Sequence, residues 1–158
     1  MASVWIPAST ACRRLGQASV DADLLVAAVI WLREAAFITP TNAAPQQVVA
    51  LAQASEQAGL DLVTFQDHPY QEGFLDTWTL LSYVAAQTER LHVSGNVINL
   101  PLCPPAVLVR DVASLDLPSG GRVELGLGAG ACWEAIEAMD GRRLTPAQAV
   151  ARGGQGAG

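Results

Sequence analysis

An α/β fold with parallel strands is predicted by three observations. Strand-like and helix-like stretches alternate four times between residues 35 and 139. Each unit is roughly 25 to 31 residues long, close to one strand–helix–strand step. The stretch 119–130, SGGRVELGLGAG, combines a tight glycine turn, a strand of period two and a glycine-rich exit. Alternation of this kind means parallel strands joined by helical crossovers. In such folds ligands sit beyond the carboxyl ends of the strands, so the strand exits are the candidate functional positions.

The elements follow in order. Residues 1–17 contain Pro7, scattered small residues and the pair Arg13-Arg14, and read as irregular. Residues 21–34 fit a helix with Trp31 and Leu32 on its apolar face. Residues 35–39 are a short apolar strand ended by Pro40. Pro45 suits a first helical turn, and Val48, Leu51, Ala52 and Ser55 follow at helical spacing. Gly59-Leu60 predicts a C-terminal cap with its hydrophobic contact. Residues 62–65 form the second strand, closing at Gln66-Asp67-His68-Pro69. Asp76 can cap a helix whose apolar stripe is Trp78, Leu81, Val84 and Ala85. Residues 91–98 read as one continuous third strand. Pro105 opens the next helix, with Leu108, Val112 and Leu115 on its buried side and Pro118 in the turn that follows. Residues 123–128 are the fourth strand, and residues 133–139 a short fourth helix. Residues 146–150 can start another helix, which the glycine-rich tail 151–158 cannot continue.

Composition narrows the function. Of 158 residues, 51% are hydrophobic and 15% charged, which excludes a disordered chain. The net charge is −6 with no basic run, so nucleic acid is not an expected partner. Cys12, Cys103 and Cys132 are odd in number and lack metal-site spacing, so neither a disulfide framework nor a metal site is expected. That usage fits a reduced, cytoplasmic setting. The apolar run 24–32 is too short to span a bilayer, and no secretory signal precedes it.

Three strand exits carry chemistry. At Asp67-His68-Pro69 the imidazole can hydrogen-bond a ligand or move a proton near neutral pH. The same three residues also fit a plain turn with an incidental histidine. At Gly95-Asn96-Val97-Ile98-Asn99 the amide side chains suit a heterocycle edge, or simply a turn tolerant of unusual dihedrals. Gly126-x-Gly128-x-x-Ala131 formally matches the dinucleotide fingerprint. It falls in the fourth strand–helix turn rather than the first, and no acidic residue follows at the ribose position. His92 reads as structural, and Glu134 and Glu137 as a solvated helix face.

Together these motifs resemble the bacterial luciferase-like family of flavin-dependent oxidoreductases. The matching pieces are AQASEQAGLDLVTFQDHPY, LDTWTLLSYVAAQTERLHVSGNVINLPL, PPAVLVRDVASLD and SGGRVELGLGAG, in family order, spanning about Phe37 to Val150. The resemblance implies a partial (β/α)8 TIM barrel of about four βα units, with FMN or the deazaflavin coenzyme F420 at the C-terminal rim. It implies a flavin-dependent monooxygenase or oxidoreductase: reduced flavin plus oxygen oxidises a small organic substrate, or, in deazaflavin members, a hydride is transferred. His68 would be the catalytic group. Asp67, His68, Asn96, Val97, Gly128, Ala129 and Gly130 would line the cofactor, with a non-prolyl cis peptide at Asn96 and Val97.

The chain departs from the family at Cys103, where Arg is usual, and at Pro118, where an apolar residue is usual. A full barrel needs about 250 residues, and the family's phosphate-holding strands come later than those present. The expected division is an atypical extension over 1–34, a half-barrel over 35–150 and a tail over 151–158, both ends reading as aberrant, as from a shifted frame. Open sheet edges favour a homodimer or association with a complete barrel. A non-catalytic flavin-binding subunit and a Rossmann domain are the alternatives.

Overall fold

The structure, a computed structural model, describes residues 4–7, 34–143, 145 and 148. The helix expected over 21–34, nearly all of that over 146–150 and the tail lie outside the described residues. Four βα units follow one another: β2 (Ala35–Ile38) and α1 (Pro45–Gln57), then β3 (Leu62–Phe65) and α2 (Thr77–Ala86). Next come β4 (His92–Gly95), β5 (Ile98–Asn99) and α3 (Pro105–Ser119), then β6 (Val123–Gly128) and α4 (Trp133–Ala138). Strands β2, β3, β4 and β6 pair in parallel in that order, and β5 pairs with β6 beyond the end of β4. A further strand, β1 (Val4–Pro7), runs antiparallel along β6.

The parallel register makes the exits of β2, β3, β4, β5 and β6 face the same way, as expected for part of a barrel. One sheet face supplies Val63, Phe65, Val93 and Val123 to the main core, against Val48 and Ala52 of α1 and Leu80, Leu81, Val84 and Ala85 of α2. The other face carries a polar row. Thr64, Ser94 and Glu124 are register partners on successive strands, and all three are buried. His92 lies on this face too, its Nδ1 3.3 Å from the Glu124 carboxylate. All four residues of β3 are buried, as a strand with covered faces requires.

Local sequence sets the helix ends. In α1 the Leu60 amide donates to the Ser55 carbonyl and the Gly59 amide to Glu56, with Gly59 at φ 93°. This is the paired-bond cap that Gly59-Leu60 predicted. Asp76 caps α2 by accepting from the Thr79 amide at 2.8 Å.

Four expectations differ from what is observed. Residues 4–7 are a strand rather than irregular. Val4, Trp5 and Ile6 favour extended chain, and Pro7 is tolerated because it ends an edge strand. The strand read over 91–98 is broken after Gly95, where the Asn96–Val97 peptide is cis and the chain turns before β5. Leu51 is 54% exposed rather than buried, because the contact stripe of α1 centres on Val48 and Ala52. Pro118 sits inside the last turn of α3, not after it. It cannot donate to the Ser114 carbonyl, and the helix ends one residue later, with Gly120 at φ 72° as its cap.

Candidate functional site

The site is built where β3, β4, β5 and β6 end. The Asn96 amide donates to the Phe65 carbonyl, which holds the 96–97 turn beside the end of β3. Two residues on, the Asp67 carboxylate accepts from the Asn99 amide at 2.7 Å. Asn99 is in turn the register partner of Gly128. A Cβ on Gly128 would lie 2.5 Å from a methyl of Val97, so only glycine lets these two segments approach so closely. Gly130, at φ 93°, turns the chain towards α4, and a Cβ there would meet Pro101 and Trp133. Asp67, Asn96, Val97, Gly128 and Gly130 thus meet at one rim. Ala129 is exposed between its two glycines.

His68 is half-buried at this rim. Its Nδ1 lies 2.7 Å from the Tyr70 hydroxyl. The rings of Tyr70 and Phe74 both meet it edge-on, with centroids 5.4 and 6.1 Å away. The Cys132 thiol, beyond the exit of β6, is near enough to Tyr70 to act on its phenol. Burial, the Cys132 thiol and the nearby Asp67 carboxylate push the Tyr70 phenol up to about 12. Burial also raises the Asp67 carboxyl above its ordinary value of 3.8, with the Asn99 amide and the Thr77 hydroxyl opposing that shift.

Asn99 is the most informative polar group. It is 6% exposed, and its Oδ1 has no hydrogen-bond partner among the described residues. A buried acceptor of this kind calls for a donor. The rim thus combines an imidazole, an amide oxygen with no partner among the described residues, a carboxylate, and a glycine-bearing β6 exit packed against Val97, Pro101 and Trp133. The imidazole and amide groups suit the polar edge of a heterocycle.

Sequence reasoning put Asp67, His68, Asn96, Val97, Gly128, Ala129 and Gly130 at the site, and the structure brings these exits to one end of the sheet. It missed Tyr70, Phe74 and Cys132. Tyr70 carried a usable signal, being an aromatic hydroxyl two residues after the histidine. Cys132 carried none.

An α/β chain of successive parallel βα units with polar groups at the strand exits is part of a (β/α)8 type of barrel. The family model for luciferase-like monooxygenases matches residues 26–153, and the chain belongs to that family. The match reaches beyond the motif span 37–150 on both sides. An F420-dependent glucose-6-phosphate dehydrogenase of Amycolatopsis mediterranei is 36% identical over 104 residues, covering 62% of this chain and 31% of that protein. An uncharacterised protein of Mycobacterium tuberculosis is 29% identical over 132 residues, covering 66% of this chain and 46% of that one. The chain thus spans less than half the length of these curated relatives. Among solved structures, the F420-dependent tetrahydromethanopterin reductase of Methanopyrus kandleri superposes with a TM-score of 0.63 at 20% identity. That superposition covers 75% of this chain and 37% of the reductase. A monooxygenase from Streptomyces bottropensis gives 0.58 at 24% identity, over 68% and 33% of the two chains. Both likenesses are of fold. Family membership removes the Rossmann alternative. The Gly126-x-Gly128-x-x-Ala131 stretch leads into a six-residue helix, too short to seat a pyrophosphate.

Proposed function

We propose that the chain binds a flavin-type cofactor across the C-terminal rim and serves a luciferase-like oxidoreductase. The supporting observation is the convergence of three strand exits through Asp67, Asn99 and Gly128, next to the buried acceptor of Asn99. Asp67, His68, Asn96, Val97, Gly128, Ala129 and Gly130 would line the ring. The deazaflavin F420 is the favoured cofactor, because the relative with 36% identity bears that dependence in its name. FMN with oxygen is the second reading, favoured by the family's monooxygenase description. When bound, a deazaflavin supplies hydride transfer, and a flavin supplies that or reaction with oxygen.

The residues of this chain would do three things. Gly128 and Gly130 let the exit of β6 pack tightly on Val97, Pro101 and Trp133, which fixes the wall of the rim. Asn99 Oδ1 accepts from a ring N–H. His68, steadied by Tyr70 and Phe74, moves a proton between the ring edge or a small organic substrate and the rim. Fluorescence titration of the full chain with F420 and with FMN tests the reading. Saturable binding of at least one, weakened at least tenfold by Asn99→Leu, is expected. Binding of neither removes the flavoenzyme reading. Binding with no oxidation of any substrate leaves the non-catalytic, subunit-like role.

The outer edge of β2 pairs with nothing among the described residues, which favours association with a second copy or with a complete barrel. Light scattering measures this. A monomeric mass at every concentration, alone and with a family barrel, removes it.

A further inference from the structure

Beyond the exit of β6 the chain carries a cation that the rim described above does not use. We propose that Arg143, held over the indole of Trp133, forms an oxyanion subsite on the flank of the rim and takes the carboxylate or phosphate group of a small organic ligand. The subsite deepens the rim reading, on which its link to a substrate rests; capture of an anion does not require a flavin.

Close contacts place the cation. After α4 the chain reverses at Asp140, φ 61°, and the Gly141 amide donates back to the Ile136 carbonyl at 2.8 Å. A Cβ on Gly141 would lie 2.5 Å from a methyl of Ile136 and 2.7 Å from a methyl of Leu102. This turn is thus clamped between α4 and the short turn over residues 100–102. Two residues on, the Arg143 guanidinium carbon lies 5.8 Å from the centre of the Trp133 ring, within the reach of a cation–π contact. The same indole touches the β6 exit, where a Cβ on Gly130 would lie 3.0 Å from Trp133 Cη2. One indole therefore links the guanidinium to the wall of the rim.

Arg90 and Arg122 spend their guanidiniums on backbone carbonyls and a hydroxyl. Arg143 is exposed and, among the described residues, has neither a hydrogen bond nor an ion pair, although Glu134, Glu137 and Asp140 belong to the same stretch. A guanidinium that rests its face on an aromatic ring keeps its N–H edge free. That planar edge matches the two oxygens of a carboxylate or phosphate. The indole also keeps water from one side of the cation, which strengthens the attraction. A ligand with an anionic group on this flank is favoured over its neutral counterpart, and a cationic one is disfavoured.

Proton–nitrogen NMR on the 15N-labelled full chain tests this at the Trp133 indole N–H, assigned through the backbone of residues 130–136, and at the Arg143 Nε–H. Sodium phosphate and sodium acetate are titrated separately at pH 7, with sodium chloride at matched ionic strength as the reference. A saturating shift of both signals is expected with one or both oxyanions and not with chloride. Arg143→Gln, a change at an exposed side chain, should weaken the indole response about tenfold or more, the loss of a charge-assisted pair. Arg142→Gln, at the exposed neighbouring residue, should leave it unchanged. A response alike to phosphate, acetate and chloride overturns the proposal, as does an undiminished response in Arg143→Gln or an equal loss in Arg142→Gln. FMN and riboflavin, which differ by one phosphate, then separate the sources. A preference for FMN that Arg143→Gln abolishes makes the oxyanion the cofactor's, equal affinities make it the substrate's, and the subsite stands in both. Anion capture with no flavin binding keeps the subsite and removes the cofactor reading; flavin binding with no anion capture does the reverse.

Discussion

Asp67 and Glu56 show how two carboxylates of one chain are driven in opposite directions. Burial raises the Asp67 carboxyl above 3.8, so the native state binds its proton more tightly than the unfolded chain does. Between 3.8 and the raised value the stability contribution of this group falls as pH rises, and at neutral pH the full penalty is in place. Asp67→Asn keeps an acceptor for the Asn99 amide and removes the buried charge. Its melting temperature at pH 7 is expected to equal or exceed that of the wild type. Asp67→Ala orphans the amide and should lose about 1–3 kcal/mol in urea unfolding. Glu56 is the reverse case. Desolvation pushes it up, but amide hydrogen bonds from Arg90, Leu91 and Glu89 and the Arg90 charge outweigh that, and it lies below 4.5. Its contribution is present above 4.5 and disappears as pH falls through the lowered native value. Glu56→Ala is expected to cost about 1–2 kcal/mol at pH 7, as loss of a cap does, and to flatten the acid limb of a stability–pH curve. Asp67 and His68 were legible because they stand together at a strand exit. Asn99 appeared only as part of a turn, since nothing local marks an amide as buried.

Among the elements, ends were easier to read than faces. Pro45, Gly59, Asp76 and Pro105 act through their own backbone or nearest neighbours, and each helix starts or stops where they predict. Leu51 misled because its exposure depends on where the sheet lies, not on helical spacing. The break after Gly95 was half visible: Gly95 and Asn96 suggested a turn, but the apolar alternation of Val93 to Ile98 read as strand, and the cis peptide was expected only from the family resemblance. Arg122 shows how a link between elements escapes sequence reading. Its guanidinium reaches the carbonyls of Ala85 at 2.6 Å, Leu91 at 2.9 Å and Ser119 at 2.8 Å, and the Thr88 hydroxyl at 3.1 Å. One side chain thus closes the end of α2 and joins it to the turn before β6. Arg122→Met keeps much of the stem and loses the fork. It should cost roughly 2–4 kcal/mol, since several carbonyls lose a charged donor together. Arg122→Lys is expected to recover less than half of that, because an ammonium cannot span the same set of acceptors. Denaturant midpoints of the three proteins measure both effects.

At the scale of the molecule, the sheet is most secure in its middle. β3 and β4 are paired on both sides, and Val63, Phe65 and Val93 have no exposed surface. Among the described residues β2 is paired on one side only, and its Phe37 is 55% exposed. Hydrogen exchange should follow that order, with the amides of β3 and β4 slowest and those of β2 exchanging at least tenfold faster. Uniform protection across the three would contradict it. The class of fold was legible here because alternation of strand and helix is a property of the whole sequence. The polar row Thr64, Ser94 and Glu124 was not, because it exists only once strand register is set.

The ribbon at residues 4–7 bears on how a ring of strands could be completed. It runs against the direction of β6 and already engages residues 124–127 of that strand. The amides and carbonyls along this margin are thereby committed, and a newcomer aligned with β6 has no vacant seam to enter. Closure from this flank must begin with the ribbon peeling away. Among the described residues no ribbon covers the flank of Phe37, so a docking neighbour meets the lower barrier there.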